Sequence, residues 1–470
     1  MAQIQTRARM NIAFISREMA GLDKNGGIGT ATRHICEHLA HGGQHEIHCY
    51  HTGNAGRDRR GFEQTMRSSG IRMRHINADA NTAGGYARRP YQIYETLRST
   101  QHDVYVFHDF MADGFFCLPA KKYGKAFAHA KLGIITHGPS LWVDEGNGLV
   151  SVSPARLSLY DMERLCCELA DFLVSPSDYL LDWMRERGYR LPERSVRIPN
   201  FTSPPDALDA VPARGRLAPA DIHELVFFGR LEERKGIRVF CDALNRLSPE
   251  LLAGREVSFL GQQAHYDAAT IRAWLRPALD KAEFAVRFFS DFSTTQARGY
   301  LRRPGRLAVM PSLRENSPCV VSECLENGIP FLASDSGGGK ELIQEDDRAK
   351  AVVAPQGHAL AERLEKVLED EGIVIPRPSY TYSGILENWQ TLLKNAGQTE
   401  ASRGDSPPPD ATLLFDLYTR HVARRPRQVL RGLLKMWLKD FAGRVFGLIP
   451  SERLRQRCLV TARSIKRRYF

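Results

Sequence analysis

Apolar residues along this chain fall into short blocks separated by polar stretches, and the blocks alternate with segments of helical periodicity. NIAFIS (11–16), EIHCYH (46–51), IRMRHIN (71–77), DVYVFH (103–108), LGIITH (132–137), FLVS (172–175) and SVRIPN (195–200) are rich in β-branched and aromatic residues. Most are apolar at successive positions, as strands of a parallel sheet covered by helices on both faces must be. A second series follows at ELVFFGR (224–230), EVSFLG (256–261), AVRFFS (285–290), LAVMPS (307–312), PFLAS (330–334) and AVVA (351–354). The alternation predicts an α/β fold of two Rossmann-like, doubly wound domains facing each other across a cleft.

The breaks in the pattern mark boundaries. FTSPPDALDAVPARGRLAPAD (201–221) is rich in Pro and Ala and reads as a linker between an N-terminal unit, 1–200, and a C-terminal unit, 222–396. The second unit is expected to close with the helix ILENWQTLL (385–393). GQTEASRGDSPPPD (397–410) is too polar to pack a core and is expected to be flexible, and a basic helical tail, 411–470, follows. At 470 residues, 43% of them hydrophobic, the chain can fill two cores and carry an appendage.

Charge sharpens this division. The formal net charge is +11, but residues 411–470 hold 15 Lys+Arg against 3 Asp+Glu, a local net of +12, so residues 1–410 sum to −1. The basicity belongs to the tail and does not mark the body as a nucleic-acid binder. The nine cysteines are scattered without a C-x-x-C pair and read as free thiols in a reducing compartment. MAQIQTRARMNIAFIS lacks the apolar block of a secretory signal, and no apolar run reaches the roughly 18 residues of a membrane span. A cytoplasmic protein is expected, with any membrane contact peripheral.

The candidate chemistry concentrates in SLRENSPCVVSECLENGIPFLASDSGGGKELI (312–343). Glu315 follows an apolar strand, and Glu323 sits inside a helix starting near Pro318. A helix N-terminus preceded by Asn316 and Ser317 offers free backbone N–H groups to an anion such as a diphosphate. Glu323 is then placed to accept from ribose hydroxyls, and Glu315 from sugar hydroxyls at the helix mouth. The second half is FFGRLEERKGI (227–237), where Arg230 and Lys235 leave the end of a strand and point across the crevice. Two fixed cations suit a departing nucleoside diphosphate, especially where no metal neutralises it. Taken singly, each of these four residues also reads as an ordinary surface charge.

In the N-terminal unit, KNGGIGT (24–30) opens a helix expected to run through Leu39. It lacks the third glycine of a dinucleotide fingerprint, which disfavours NAD. THGPS (136–140) ends a strand with His137, and VFHDF ends another with His108 and Asp109, read as lining the acceptor side. A hydrogen-bonded structural histidine competes with a functional one at both positions. Asn200 reads as structural, at the hinge. No Asp-x-Asp metal motif occurs in the site region, and no metal or other cofactor is expected.

G-R-x(4)-K-G, then E-x(7)-E, G-x-P and S-G-G-G-K-E together resemble glycosyltransferase family 4, of the retaining GT-B type, over roughly residues 10–396 and most strongly over 224–343. The resemblance implies that Arg230 and Lys235 bind the diphosphate, Glu323 the ribose and Glu315 the donor sugar, with the backbone of Asn316, Ser317 and Cys319 completing the cradle. It implies that Lys24, Gly27 and Gly29 face the donor from the other domain, and that His137 lies near the reacting sugar. A hexosyltransferase using a nucleotide-diphosphate sugar, with UDP as the expected base, and acting on an envelope glycan or lipid-linked acceptor is the resulting expectation. The competing readings are a nucleotide-sugar epimerase or hydrolase on the same fold, and an inactive membrane adaptor or glycan-binding protein.

The tail adds an expected location. Leu430, Leu433, Leu434, Trp437, Phe441 and Val445 share one helical face, with Arg431, Lys435 and Lys439 beside it. That pattern reads as an interfacial helix for an anionic membrane surface, with packing onto the catalytic units as the alternative.

Overall fold

The computed structural model describes residues 9–22, 26–53, 59–78, 85–205, 215–398 and 415–416. Lys24, residues 206–214 of the first linker, nearly all of the second linker and the tail beyond Asp416 lie outside the described residues.

The N-terminal unit is built on β1 (Asn11–Ser16), β2 (Glu46–His51), β3 (Ile71–His75), β4 (Val104–His108), β5 (Lys131–Ile135), β6 (Phe172–Ser175) and β7 (Ser195–Arg197). They form one parallel sheet in the order β3-β2-β1-β4-β5-β6-β7. Its helices are α1 (Gly27–Ala40), α2 (Arg59–Ser68), α3 (Arg88–Leu97), α4 (Cys117–Lys122), α5 (Ser140–Gly146), α6 (Pro154–Leu169) and α7 (Asp178–Glu186).

In the C-terminal unit, β8 (Arg216–Leu217) precedes β9 (Glu224–Phe228), β10 (Glu256–Leu260), β11 (Ala285–Phe289), β12 (Arg306–Met310), β13 (Phe331–Ser334) and β14 (Val352–Val353). The sheet order is β11-β10-β9-β12-β13-β14, and β8 pairs separately with β15 (Ile373–Val374). The end of the 201–221 segment is thus already part of this unit. The helices are α8 (Ile237–Arg246), α9 (Pro249–Leu252), α10 (Ala268–Trp274), α11 (Arg276–Leu279), α12 (Thr294–Leu301), α13 (Cys319–Asn327), α14 (Glu345–Ala351), α15 (Gly357–Lys366) and α16 (Tyr382–Gln398).

Successive strand residues feed opposite cores, which is why the strands are apolar without alternation. Ala13 and Ile15 of β1 enter one core with Tyr105 and Phe107, while Ile12 and Phe14 enter the other with Val104 and Val106. Leu225 and Phe227 of β9 likewise face one layer, and Val226 and Phe228 the opposite one.

One expectation needs correction. The helix at 385–393 does not close the second unit, because Ile385, Trp389, Leu392 and Leu393 of α16 are buried with Ile12, Phe14 and Ile35 in the N-terminal core. The chain crosses back, and α16 covers a sheet face that α1 and α2 leave partly open. Periodicity identified the apolar stripe but carried no information about which sheet it meets.

Both sheets reverse strand order at their centres, between β1 and β4 and between β9 and β12. Crevices at the carboxyl ends of such strand pairs are where open α/β sheets bind ligands. Among the described residues, no helix is long and apolar enough to cross a membrane, and the eight described cysteines carry free thiols.

Candidate active site

The motif residues cluster at these two switch points. After β9 the chain turns through Arg230 and a short 3-10 segment to Lys235 and Gly236. Gly236 has φ 72°, and a Cβ there would lie 1.8 Å from the Pro311 carbonyl oxygen, so only glycine lets the β9 turn lie against the end of β12. That approach brings Lys235 to Glu315. Lys235 Nζ pairs with Glu315 Oε1, Ser312 Oγ donates to the same oxygen at 2.9 Å, and Arg234 Nη1 pairs with Oε2 at 3.2 Å. Burial alone would push the Glu315 carboxyl up, but Lys235 and Arg234 hold it at about 2. Burial lowers the Lys235 ammonium, and Glu315 opposes that shift. Oε1 accepts from two donors and Oε2 from one, which leaves Oε2 room for another donor.

Arg234 was not among the residues the sequence singled out. Its side chain is 10% exposed against 52% for Arg230, and it also pairs with Glu232 at 3.0 Å and donates to the Arg314 carbonyl at 3.0 Å. Arg230 lies at the rim, paired with Glu232 at 3.2 Å. Nothing in the run RLEERKG separates the buried arginine from the exposed one.

α13 begins at Cys319 with Pro318 as its N-cap and has no side-chain cap, so its first N–H groups stay open to a ligand. α1 begins at Gly27 after Gly26, which has no side chain to cap it; Glu18 Oε2 accepts from Gly26 N at 2.8 Å, and the N–H groups that follow have no side-chain cap. The two N-termini meet: a Cβ on Gly27 would lie 3.5 Å from Cys319 Sγ. Gly27 is exposed in this gap. Gly29 is not; it is buried as the third residue of α1, where its carbonyl accepts from Ala20 N at 3.2 Å. Ser317 is half-buried beside the α13 entry. Asn316 turns away from the cradle, its Oδ1 accepting from Ser177 Oγ of the N-terminal unit. Glu323, on the second turn of α13, is 7% exposed and has no side-chain hydrogen bond among the described residues. Burial raises its pKa to about 7, with Arg298 opposing the shift and Glu326 adding to it.

At the other switch point, His108 and His137 are joined. His108 Nδ1 lies 2.8 Å from His137 Nε2, and His108 Nε2 lies 3.0 Å from Thr32 Oγ1. Thr32 gives its one hydroxyl proton to the Ile28 carbonyl at 2.7 Å, so it accepts from His108 Nε2–H. Burial lowers both imidazoles, His108 to about 4, so each carries one proton near neutrality. His108 Nδ1 is therefore an acceptor, His137 Nε2–H donates to it, and His137 Nδ1 is left as a bare acceptor.

Asp109 does not line the acceptor side, because it is fully buried and accepts from the backbone N–H groups of Phe110, His137 and Gly138 at 2.8, 2.9 and 3.0 Å. Glu163, which the sequence did not mark, does the same work one layer deeper. It takes Met111 N at 2.7 Å and Ser140 N at 2.6 Å, fixing both loops that present the histidines.

The units are clasped across the cleft. Arg314 donates to Tyr179 Oη at 3.1 Å and to Glu145 Oε2 at 3.1 Å. Glu341 accepts from Asp178 N and Tyr179 N, each at 2.8 Å, at the start of α7. A Cβ on Gly338 would lie 2.5 Å from Ser177 Cβ, so the Gly-rich turn after β13 is part of this contact.

Comparison with known proteins gives the family and the fold. The family described as glycosyl transferases group 1 matches residues 216–382, and the glycosyl transferase 4-like domain matches 26–200. Glycogen synthase of Mycobacterium tuberculosis is 27% identical over 201 residues, 42% of this chain and 46% of that protein, so the match spans less than half of the relative. Sucrose-phosphate synthase from Thermosynechococcus elongatus shares the fold at a TM-score of 0.56 with 16% identity, covering 89% of this chain and all (100%) of that one. The Anabaena HepE protein in complex with UDP-glucose does so at a TM-score of 0.51 with 16% identity, covering 90% of this chain and 100% of that one.

Proposed function

Because this chain is a glycosyltransferase of the GT-B group 1 type, we propose that it is a retaining hexosyltransferase that takes its sugar from a UDP-linked donor without a metal ion. The acceptor is an envelope glycan or lipid-linked saccharide, met at the cytoplasmic face of a membrane. The observation that carries the donor side is the meeting of two helix N-termini at Gly27 and Cys319, with Lys235 and Arg234 alongside. A diphosphate held between them gains hydrogen bonds and two helix dipoles. Arg230, at the rim, adds charge as the leaving group departs.

The carboxylate of Glu323, without a side-chain hydrogen bond among the described residues, accepts from the ribose, and the open site on Glu315 Oε2 and His137 Nδ1 accept from sugar hydroxyls. A carboxylate held at about 2 by two cations is a poor nucleophile, which supports transfer without a covalent glycosyl-enzyme. The acceptor oxygen bonds to the anomeric carbon on the face from which the phosphate leaves. The carbon–oxygen bond to phosphate breaks, and the departing phosphate oxygen takes the acceptor's proton.

A thermal-shift screen of UDP, GDP and ADP sugars tests the donor, since the ligand that binds the folded state raises its melting temperature. Glu323→Ala and Lys235→Ala should each weaken binding of the stabilising donor by calorimetry while leaving the fold intact; unchanged binding in both overturns the site. Donor consumed at full rate without acceptor would assign a hydrolase or epimerase instead.

A further inference from the structure

The carboxyl ends of β1, β2 and β4 carry a second polar cluster, beside the histidine pair and apart from the donor cradle. Arg89 of α3 is buried and grips Asp113 through Nε at 2.8 Å and Nη2 at 3.2 Å. Its Nη2 also donates to Thr52 Oγ1 at 2.5 Å, and Thr52 donates on to Asp113 at 2.9 Å. Arg89 Nη1 makes no hydrogen bond among the described residues.

Arg17 follows β1 at the same edge. A Cβ on Gly53 would lie 2.1 Å from the Arg17 carbonyl oxygen, so the chain leaves β1 and β2 side by side only with glycine there. This approach sets Arg17 near Arg89 and Asp113. Its guanidinium is half-buried and has neither a hydrogen bond nor an ion pair among the described residues. Burial and the adjacent Arg89 lower its pKa, and Asp113 and Glu18 oppose that shift without reversing it. Both carboxylates are engaged elsewhere, Asp113 by Arg89 and Thr52, and Glu18 by Gly26 N. The two guanidinium groups are short of an anionic partner.

The cluster stands on a built base. Met111 and Ala112, neither of them glycine, take φ 67° and 52° in the turn that delivers Asp113. Glu163 holds this turn through Met111 N at 2.7 Å, and Ala112 N donates to the Asp109 carbonyl at 3.3 Å. Backbone kept in such a conformation by its surroundings is typical of loops that bind or react.

Position gives the missing partner its role. Ser16 Oγ lies 3.4 Å from Thr32 Oγ1, which bonds His108, so Arg17 is one residue past the hydrogen-bond chain that ends on His137. In the sheet β1 lies two strands from β5, about 10 Å. That is the reach of a hexose from an attacking hydroxyl near His137 to a phosphoryl group on its far side. Phosphoryl oxygens accept from two guanidinium groups at once, whereas neutral hydroxyls leave both charges uncompensated.

We propose that the acceptor sugar carries a phosphoryl group and that Arg17 and Arg89 Nη1 hold it. The proposal rests on the glycosyl-transfer reading and names the chemistry of its acceptor. A free sugar phosphate and the diphosphate of a lipid-linked saccharide offer the same group, and separate probes distinguish them.

The test is a phosphorus-31 titration of inorganic phosphate against the full chain, saturated with UDP to fill the donor cradle, at about 0.15 M salt to screen the basic tail. Wild type should bind phosphate saturably, Arg17→Gln about tenfold more weakly, and Arg17→Lys in between. No binding by wild type, or equal binding by wild type and Arg17→Gln, overturns the proposal. Arg17→Gln should melt no lower than wild type, because the charge it removes is unpaired; a melting temperature several degrees lower assigns Arg17 to the fold and overturns the proposal. Glucose 6-phosphate that binds more tightly than phosphate identifies a free sugar phosphate as acceptor, and farnesyl diphosphate that does so identifies a lipid-linked one. An advantage of either probe that persists in Arg17→Gln overturns the proposal. UDP affinity should be the same in wild type and Arg17→Gln. UDP that fails to bind wild type overturns the donor reading alone, because the phosphate difference between the two proteins is read without UDP as well.

Discussion

A buried carboxylate without a partner is costly, and Glu323 is buried with no side-chain hydrogen bond among the described residues. Its pKa of about 7, raised by burial, makes donor binding proton-linked. Ribose hydroxyls donate best to the ionised form, so affinity for a nucleotide sugar should fall about tenfold for each pH unit below about 7 and level off above it. Calorimetry across that range should show the slope in wild type and a weaker, flat profile in Glu323→Gln; a slope that persists in the variant assigns the proton to another group. The histidine pair makes a second residue-scale prediction. Thr32→Val keeps the shape of α1 but removes the acceptor of His108 Nε2–H, at a cost of about 1–3 kcal/mol. The cheaper arrangement moves the proton to His108 Nδ1, which donates to His137 Nε2 and turns His137 Nδ1 into a donor. Nitrogen-15 imidazole shifts should report that change of tautomer, and an unchanged His137 signal refutes the chain of hydrogen bonds. The placement of Glu315, Glu323 and Lys235 was legible because each follows from position relative to a strand end and a helix start. Thr32, Arg234 and Glu163 were not, since each acquires its role only through partners distant in sequence: 76 residues for Thr32 with His108, 81 for Arg234 with Glu315, and 52 for Glu163 with Met111.

Elements were read more securely than their neighbours. Every main strand of both sheets lies within a residue or three of its apolar run, because a strand covered on both faces needs continuous hydrophobicity wherever it packs. α1 runs from Gly27 to Ala40, one residue past its expected end. The destination of α16 could not be read, because an amphipathic stripe states that a face is buried and not against what. The consequence can be measured. Trp389 is 1% exposed and sits in the N-terminal core, so Trp389→Ala should remove about 3–5 kcal/mol from the stability of the N-terminal unit. Hydrogen exchange should show faster opening of β1 and α1 while β9 and β12 stay protected; the reverse pattern would return α16 to the second unit.

At the scale of the whole molecule, the groups of the proposed site belong to both units, Gly27 and His137 to one and Lys235, Glu315 and Cys319 to the other, so the assembled site exists only while the cleft is closed. The charged contacts that close it are Arg314 to Tyr179 and Glu145, and Glu341 to the first N–H groups of α7 and to Arg197 at 3.6 Å, beside the neutral bond from Ser177 to Asn316. Glu341 acts on α7 as a carboxylate acts at any helix N-terminus, except that it reaches the helix from the other unit, so its hydrogen bonds stabilise closure more than the helix itself. Arg314 is central as well, lying 5.2 Å from the Trp142 ring and 5.7 Å from Trp183. Removing both side chains, in Arg314→Ala with Glu341→Ala, leaves each hydrophobic core intact and shifts the population toward open forms. A donor that binds the closed form then pays the cost of closing, and its apparent affinity falls by the lost closed fraction, about tenfold for a shift from mostly closed to one closed molecule in ten. Small-angle scattering of the double variant should show a larger radius of gyration without donor and recovery toward the wild-type value at saturating UDP-sugar. A variant with the wild-type scattering curve and wild-type donor affinity would mean that the charged clasp does not govern closure, and that the α16 crossover and the contact of Asn316 and Gly338 with Ser177 hold the two units in register.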